Sequence, residues 1–310
     1  MVQQEKATSS WHLGEHCNRY PNDKKLRGKG GLEAHVLYGW MPATPPVRRG
    51  APMFVMGSCF ARQLAQTLVS HGRGDAGSIG LVVWGGEFVT AHAVARHLEW
   101  LAGMRELENG SALFAERRDG YAGGRGREGA TGGRLKTLPL DEDTRAKSKG
   151  ALMAAEAFVC TLGISELWYE KKTGEVFLRA VAQPVFDDAQ HGHRVASVEE
   201  TKECLRRLVA AVRKVNPKTV IVLTVSPVAM AATFRPISSV TANVASKAIL
   251  RAAVDEFFRE NEDSLVYYWP GYELALVYYA GKAVKPDGRH IWGEYASKIV
   301  GLFEEYFIQE

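Results

Sequence analysis

Ser58, Asp287 and His290 are the residues whose types and spacing could do chemistry together. A serine hydroxyl is a weak nucleophile until a base takes its proton. An imidazole serves as that base best when a second group fixes its tautomer. Asp287-Gly288-Arg289-His290 puts a carboxylate three residues before an imidazole, so Asp287 can accept from one ring nitrogen across a turn. The other nitrogen then faces outward, free to serve Ser58. Such a set performs acyl transfer through a serine. Water as second acceptor gives an esterase, and a sugar hydroxyl or an amine gives an acyl transferase. Each piece also has a plain reading, because Gly-Ser after a strand is often only a turn and Asp-x-x-His recurs by chance.

The elements around these residues suit that chemistry. Met53 to Met56 is an apolar run that meets Gly57-Ser58-Cys59-Phe60, and a helical pattern follows from Ala61 to Ser70. A strand turning sharply into a helix holds a serine hydroxyl at the exposed end of a sheet. Cys59 adjoins Ser58, but consecutive residues of a tight turn point different ways, so Ser58 is preferred and Cys59 is expected to pack inward. Further strands are expected at 79–84, 158–162, 219–225 and 265–268. A hairpin is expected between 166–172 and 176–180, turning at Thr173-Gly174. Helices are expected over 90–102, 199–215, 245–261 and 293–307 from apolar residues at helical spacing. Thr219 to Val225 is β-branched and apolar, and directly follows a helix, as in a parallel sheet covered on both faces. Strands alternating with helices predict an α/β domain with a mainly parallel sheet.

The chain has 310 residues and is 46% hydrophobic, enough for one large domain with ample core. Residues 1–50 read as an N-terminal arm, 51–310 as the catalytic domain, and 117–134 as a flexible Gly/Arg-rich insertion. The net charge of +4 suits an anionic substrate and does not point to nucleic acid. No stretch approaches roughly 18 uncharged apolar residues, so no membrane span is expected. The N-terminal residues lack the apolar segment of a secretory leader. Cys17, Cys59, Cys160 and Cys204 are scattered without a CxxC pair, as in a reduced, cytoplasmic protein. His12, His16 and Cys17 lack a further ligand pair, so no metal is expected. The glycines at 124–133 lack the Gly-Lys-[Ser/Thr] ending of a phosphate loop, and no cofactor is expected.

Gly57-Ser58-Cys59-Phe60-Ala61 resembles the signature of the GSCFA-domain family, which looks like a branch of the SGNH, or GDSL-type, esterases. Thr161-Leu162-Gly163-Ile164-Ser165-Glu166-Leu167-Trp168 resembles that family's TLG-x-[ST]-E-x-W block. Thr224-Val225-Ser226-Pro227-Val228 resembles its TVSPV strand end. Ala242-Asn243, Ser246-Lys247 and Leu250-Arg251 resemble its AN-x-x-SK-x-x-LR helix, and Tyr268-Trp269-Pro270 with Tyr272-Glu273 resembles its YFPSYE segment. Asp287 and His290 fall where the family places its closing Asp-x-x-His. The blocks run in order over residues 51–305.

The resemblance implies an SGNH-hydrolase-like three-layer α/β/α fold with Ser58 as nucleophile, His290 as base and Asp287 as its orienter. The substrate would be an acylated glycan or a small-molecule ester. In SGNH enzymes the oxyanion is met by the nucleophile's own N–H, a block-two glycine N–H and a block-three asparagine. Here Gly85 or Gly86 stands for the second donor. Block three reads Gly163-Ile164-Ser165-Glu166, with Ser165 where the amide should be. Losing one such donor typically costs about 3 kcal/mol of barrier.

Cys59, Gly163, Ser165, Glu166, Ser226, Lys247 and Arg251 complete the expected oxyanion and substrate-binding set. Glu166 is read first as a carboxylate paired with Arg251 or Lys247, and second as a substrate contact. Lys247 and Arg251 lie four apart, on one helix face, where they can bind an anion or meet solvent. Ser226 ends a buried strand, near the pocket or as a cap, and Tyr272-Glu273 is read as packing. The missing asparagine supports a second reading, an inactive binding or scaffold module that contacts an acidic partner or RNA through the basic insertion.

Overall fold

The computed structural model describes residues 17–74, 79–81, 89–106, 115–117, 135–137, 142–178, 180–181 and 186–310. The chain divides into two compact units, Met1–Gly39 and Trp40–Glu310. The first unit holds a short helix α1 (Asp23–Leu26), capped by the Asn22 side chain, and a π-helical turn over Glu33–Leu37.

The second unit carries the expected chemistry. Its elements run β1 (Met53–Gly57), α2 (Cys59–Ser70), β2 (Ile79–Leu81), α3 (Ala91–Leu101), β3 (Ala115–Arg117), β4 (Leu135–Thr137) and α4 (Glu142–Ala154). They continue with β5 (Ala157–Leu162), β6 (Glu166–Glu170), β7 (His191–Val195), α5 (Val198–Val215), β8 (Val220–Val225) and α6 (Ser239–Glu260). β9 (Val266–Tyr268), α7 (Gly271–Glu273), a π-helical turn over Leu274–Tyr278 and α8 (Gly293–Phe307) close the chain.

Five strands form one sheet in the order β2-β1-β5-β8-β9, and every pairing in it is parallel. One row crosses it at Val55, Val159, Val222 and Tyr267. Side chains alternate across a strand, and both faces here are covered. Phe54, Met56, Phe158, Cys160, Ile221 and Leu223 pack with residues of α3, α5 and α6 in the main core. The alternate residues Met53, Val55, Val159 and Val222 are as deeply buried on the other face, where α2 packs with α8. This is the expected α/β architecture with a parallel sheet between helical layers.

The strand order reverses between β1 and β5. From β1 the chain steps outward to β2, returns to β5 on β1's other side, and then moves the opposite way through β8 and β9. Connections that leave in opposite directions open a crevice outside the carboxyl ends of the two strands, where α/β proteins bind ligands. Gly57-Ser58 and Leu162-Gly163 are those two ends.

Three local elements differ from expectation. The expected hairpin forms, with Glu170 and Phe177 N–H donating to the Glu175 and Trp168 carbonyls and Tyr169 bridging Val176, but β6 has a second, longer partner in β7, paired from Glu166–Val195 to Glu170–His191. His191-Gly192-His193 is therefore strand. A Cβ on Gly192 would stand 2.4 Å from the Tyr169 ring, so the glycine there is a packing requirement. Helix α4 was not expected at all. It buries only Leu152, leaving no apolar stripe in the sequence to announce it. Helix α6 begins at Ser239, six residues before its periodicity suggests, because its first turns expose Val240 and Val244. β2 is described for only three residues, and the insertion from 118 to 134 lies outside the described residues, although the strands flanking it pair antiparallel.

Candidate active site

Gly57 closes β1 with φ +124°, and a Cβ there would lie 2.2 Å from the Thr161 carbonyl oxygen. Only glycine allows the end of β1 to press this closely on β5. Ser58 follows in extended backbone as the N-cap of α2, and its Oγ accepts the Phe60 N–H at 3.3 Å. Cap chemistry and sheet geometry thus select the same residue. Thr161 on β5 holds Ser58 through three further contacts. Its carbonyl and hydroxyl oxygens each lie 2.9 Å from the Ser58 N–H, and the two hydroxyls are 2.9 Å apart. Ser58 is 5% exposed.

Asp287 and His290 come together on a tight turn. Lys285 N–H donates to the His290 carbonyl, Val284 bridges Ile291, and Gly288 turns the chain at φ +71°. The Asp287 carboxylate accepts the Arg289 and His290 amides at 2.9 and 3.0 Å, and its other oxygen meets His290 Nδ1 at 2.7 Å. Those two amides, and then the imidazole, hold the Asp287 carboxyl well below the usual carboxylate range. With Nδ1 bound to a carboxylate, Nε2 is the nitrogen that can take a proton, as a general base requires. Arg289 ties the turn to the loop after β8, where its guanidinium donates to the carbonyls of Met230 and Ala229 at 3.1 and 3.3 Å. The Ser58 hydroxyl is engaged by Thr161, and no hydrogen bond joins it to His290 in this structure.

The other expected site residues divide. Gly163 lies against the serine, with a Cβ position 3.2 Å from Ser58 Cβ. Its N–H and that of Ile164 both donate to the Val89 carbonyl. Ser165 is turned away, its N–H and hydroxyl both on Ser246 of α6 at 2.8 and 3.2 Å. Ser226 is fully buried, its N–H continuing the ladder to Leu162 and its hydroxyl accepting the Val228 N–H, so it caps a strand end. Gly85 and Gly86 lie outside the described residues.

Two pairings differ from expectation. Glu166 meets neither Arg251 nor Lys247. It is buried, accepts from Thr233 Oγ1 at 2.8 Å and faces His193 Nε2 at 3.3 Å, because β6 pairs with β7 and the post-β8 loop covers both. Arg251 pairs with Glu273 at 2.7 Å and lies over the rings of Tyr268 and Trp40, so it is a packing residue rather than an open cation. Cys59 is exposed, not packed inward. Partial desolvation raises its thiol pKa, against the pull of Lys247, Arg289 and Arg62.

Lys247 is buried, with its ammonium on the carbonyls of Gly163 and Ser226 at 2.6 and 2.7 Å. Asn243, one turn earlier on α6, has no role in the sequence reading. Its Oδ1 accepts the Met230 N–H at 3.0 Å, leaving its Nδ2 without a hydrogen-bond partner among the described residues. The signal that could have found it was its place four residues before Lys247 in one block. Among the described residues, no group of three or more His, Cys, Asp or Glu could hold a metal, and no helix is long and apolar enough to cross a membrane. His12 and His16 lie outside the described residues.

The GSCFA family matches residues 52–303 of this chain. No curated protein matches it. Among solved structures it is similar to an acetyl xylan esterase (Est2A) from the rumen bacterium Butyrivibrio proteoclasticus, at 10% identity and a TM-score of 0.26. That alignment covers 49% of this chain and 36% of the esterase, so the chain spans about a third of its neighbour's length. A likeness this low carries no weight for fold or substrate.

Proposed function

We propose that this chain, which belongs to the GSCFA family, is an SGNH-like serine enzyme that hydrolyses or transfers an ester-linked acyl group through an acyl–Ser58 intermediate. One observation carries the reading. The single serine of the family's signature caps a helix at the carboxyl end of β1, where the strand order reverses, at a position reachable only because residue 57 is glycine.

The mechanism follows from the groups available. Ser58 Oγ swings from Thr161 toward His290, gives its proton to Nε2 and bonds to the acyl carbon. Asp287 holds Nδ1–H and stabilises the imidazolium that forms. The tetrahedral adduct collapses, its C–O bond to the alcohol breaks, and Nε2 returns the proton to the leaving oxygen. A second acceptor, water or a substrate hydroxyl, then attacks the acyl–Ser58 ester with His290 again as base. Ester hydrolysis balances with one water and needs no cofactor. The Cys59 N–H at the start of α2 and the Asn243 side-chain amide are the donors on offer to the oxyanion. An acylated glycan or small metabolite is the substrate class.

The second reading, a binding or scaffold module, is favoured by one fact. The Ser58 amide is spent on Thr161, the Gly163 amide on Val89 and Ser165 on Ser246. A fluorophosphonate probe separates the two. Labelling at Ser58 that disappears in Ser58→Ala and drops by at least about 100-fold in His290→Ala is expected for the enzyme. A folded wild-type protein that takes no label establishes the module instead.

A further inference from the structure

Lys247 is one of the most deeply buried cations of the molecule, at 2% exposure, and no carboxylate pairs with it among the described residues. Buried charges are normally paired with an opposite charge, because removing an ion from water is expensive. A neutral amide could bind two carbonyls at less cost, so the retained charge calls for a reason.

Its surroundings supply one. The two acceptors are the carbonyls of Gly163 and Ser226, the first residues beyond β5 and β8. Gly163 packs directly on Ser58. The same face of α6 carries Ser246, which holds Ser165, and Asn243, which holds Met230 of the loop gripped by Arg289. One helix therefore fixes two chain segments, the residues that follow β5 and those that follow β8. The Lys247 charge also reaches the start of α2, since it pulls on the Cys59 thiol more strongly than Arg289 or Arg62 does.

We propose that Lys247 is a positioning residue for Ser58. It ties the ends of β5 and β8 beneath the serine, and its charge supplies positive potential to the negative oxygen that develops when Ser58 attacks an acyl carbon. The inference rests on the acyl–Ser58 reading and adds to it the source of charge stabilisation that the missing asparagine leaves open. Lys247 acts through the strand ends and through space, and does not touch substrate.

Burial lowers the pKa of the Lys247 ammonium to about 7, while the two carbonyl acceptors favour its charged form. The titratable group that acts on it is Cys59 of α2, a thiol on which Arg289 and Arg62 also pull. That thiol is itself raised above its ordinary value and so titrates above neutrality, and a Cys59→Ser control removes it.

The test uses the full chain, p-nitrophenyl acetate and the fluorophosphonate probe. In the wild type and in Cys59→Ser, the rate is expected to fall as pH rises above about 7, where the lysine loses its proton. Lys247→Met is expected to lower kcat by about 100-fold with KM changed less than about three-fold, and to abolish that falling limb. Lys247→Gln keeps donors without charge, and kcat is expected to stay at least about 10-fold below wild type. A folded Lys247→Met with wild-type kcat and an unchanged limb overturns the inference while leaving the serine reading intact. If Lys247→Met does not fold, a folded Lys247→Gln with wild-type kcat overturns it equally. A wild type that neither labels nor turns over, or a Ser58→Ala that still labels, removes the serine reading and this inference with it.

Discussion

Ser58 and the Asp287–His290 pair are held by different kinds of structure. Ser58 is buried, and its strongest partner, Thr161, is 103 residues away on the neighbouring strand. Asp287 and His290 leave 47% and 36% of their side chains exposed, and most of the bonds that shape their turn span no more than five residues. The serine is placed by the sheet, whereas the imidazole is placed by a turn docked through Arg289. A residue placed by the sheet cannot move without disturbing the core. A residue on a turn can be altered at little cost in stability, so the same chemistry should break in two distinguishable ways.

Asp287→Asn makes the largest difference on the turn side. The wrong imidazole tautomer is expected to lower kcat by on the order of 10⁴-fold, with the urea midpoint at neutral pH moved far less. A steady-state assay beside a urea titration reads both, and equal losses in the two would mean that the turn is structural. The same carboxyl sets an acid limit. Its folded pKa is depressed, so its contribution to stability is complete above the ordinary carboxylate value of about 4 and is lost as pH falls through the folded value. The part of the acid dependence that this carboxyl contributes is therefore expected to vanish in Asp287→Asn, leaving that of the other depressed carboxylates such as Asp263 and Glu260.

Gly57→Ala probes the sheet side. A Cβ 2.2 Å from the Thr161 oxygen, at φ +124°, is expected to cost about 3 kcal/mol or more of stability, seen as a lower urea midpoint. An unchanged midpoint would show that β1 and β5 are not tightly apposed. Thr161→Val is the mildest change. It removes the hydroxyl that pairs with Ser58 and should cost about 1 kcal/mol. If the Ser58–Thr161 bond is a resting state, the probe should label this variant at least as fast as wild type. Slower labelling would make Thr161 part of the working geometry.

Much of the frame was legible because its signals are local. The apolar runs at Met53, Phe158 and Val220 are each strands, and Ser197 caps α5 with a full capping box where the helix was expected. Asp-x-x-His was legible for the same reason, since three residues and a glycine suffice to close its turn. The misreadings have a common cause. Val176 and His191 both pair with β6, the first across the local turn and the second from farther along the chain, where no local signal announces it. Glu166 could not be matched to its partners because Thr233 and His193 reach it from segments far apart in the chain. Lys247 looked like a surface cation because its spacing to Arg251 marks a helix face without saying which way that face turns.

By itself the sequence determined most strands of the main sheet and the helices between them, the family, and three residue types whose spacing suits acyl transfer. Side-chain type and short-range spacing are written directly in the chain, and local hydrogen bonds follow from them. Tertiary structure alone decided that β1 and β5 meet at the reversal of strand order, that Thr161 grips Ser58, and that Lys247 lies beneath the site with its charge on two carbonyls. The hydrogen bonds among them join residues 21, 84 and 103 positions apart, across a sheet whose strand order is not the chain order. Burial, which turns a lysine from a solvated cation into a charge with consequences, is a property of the packed molecule and not of any segment within it.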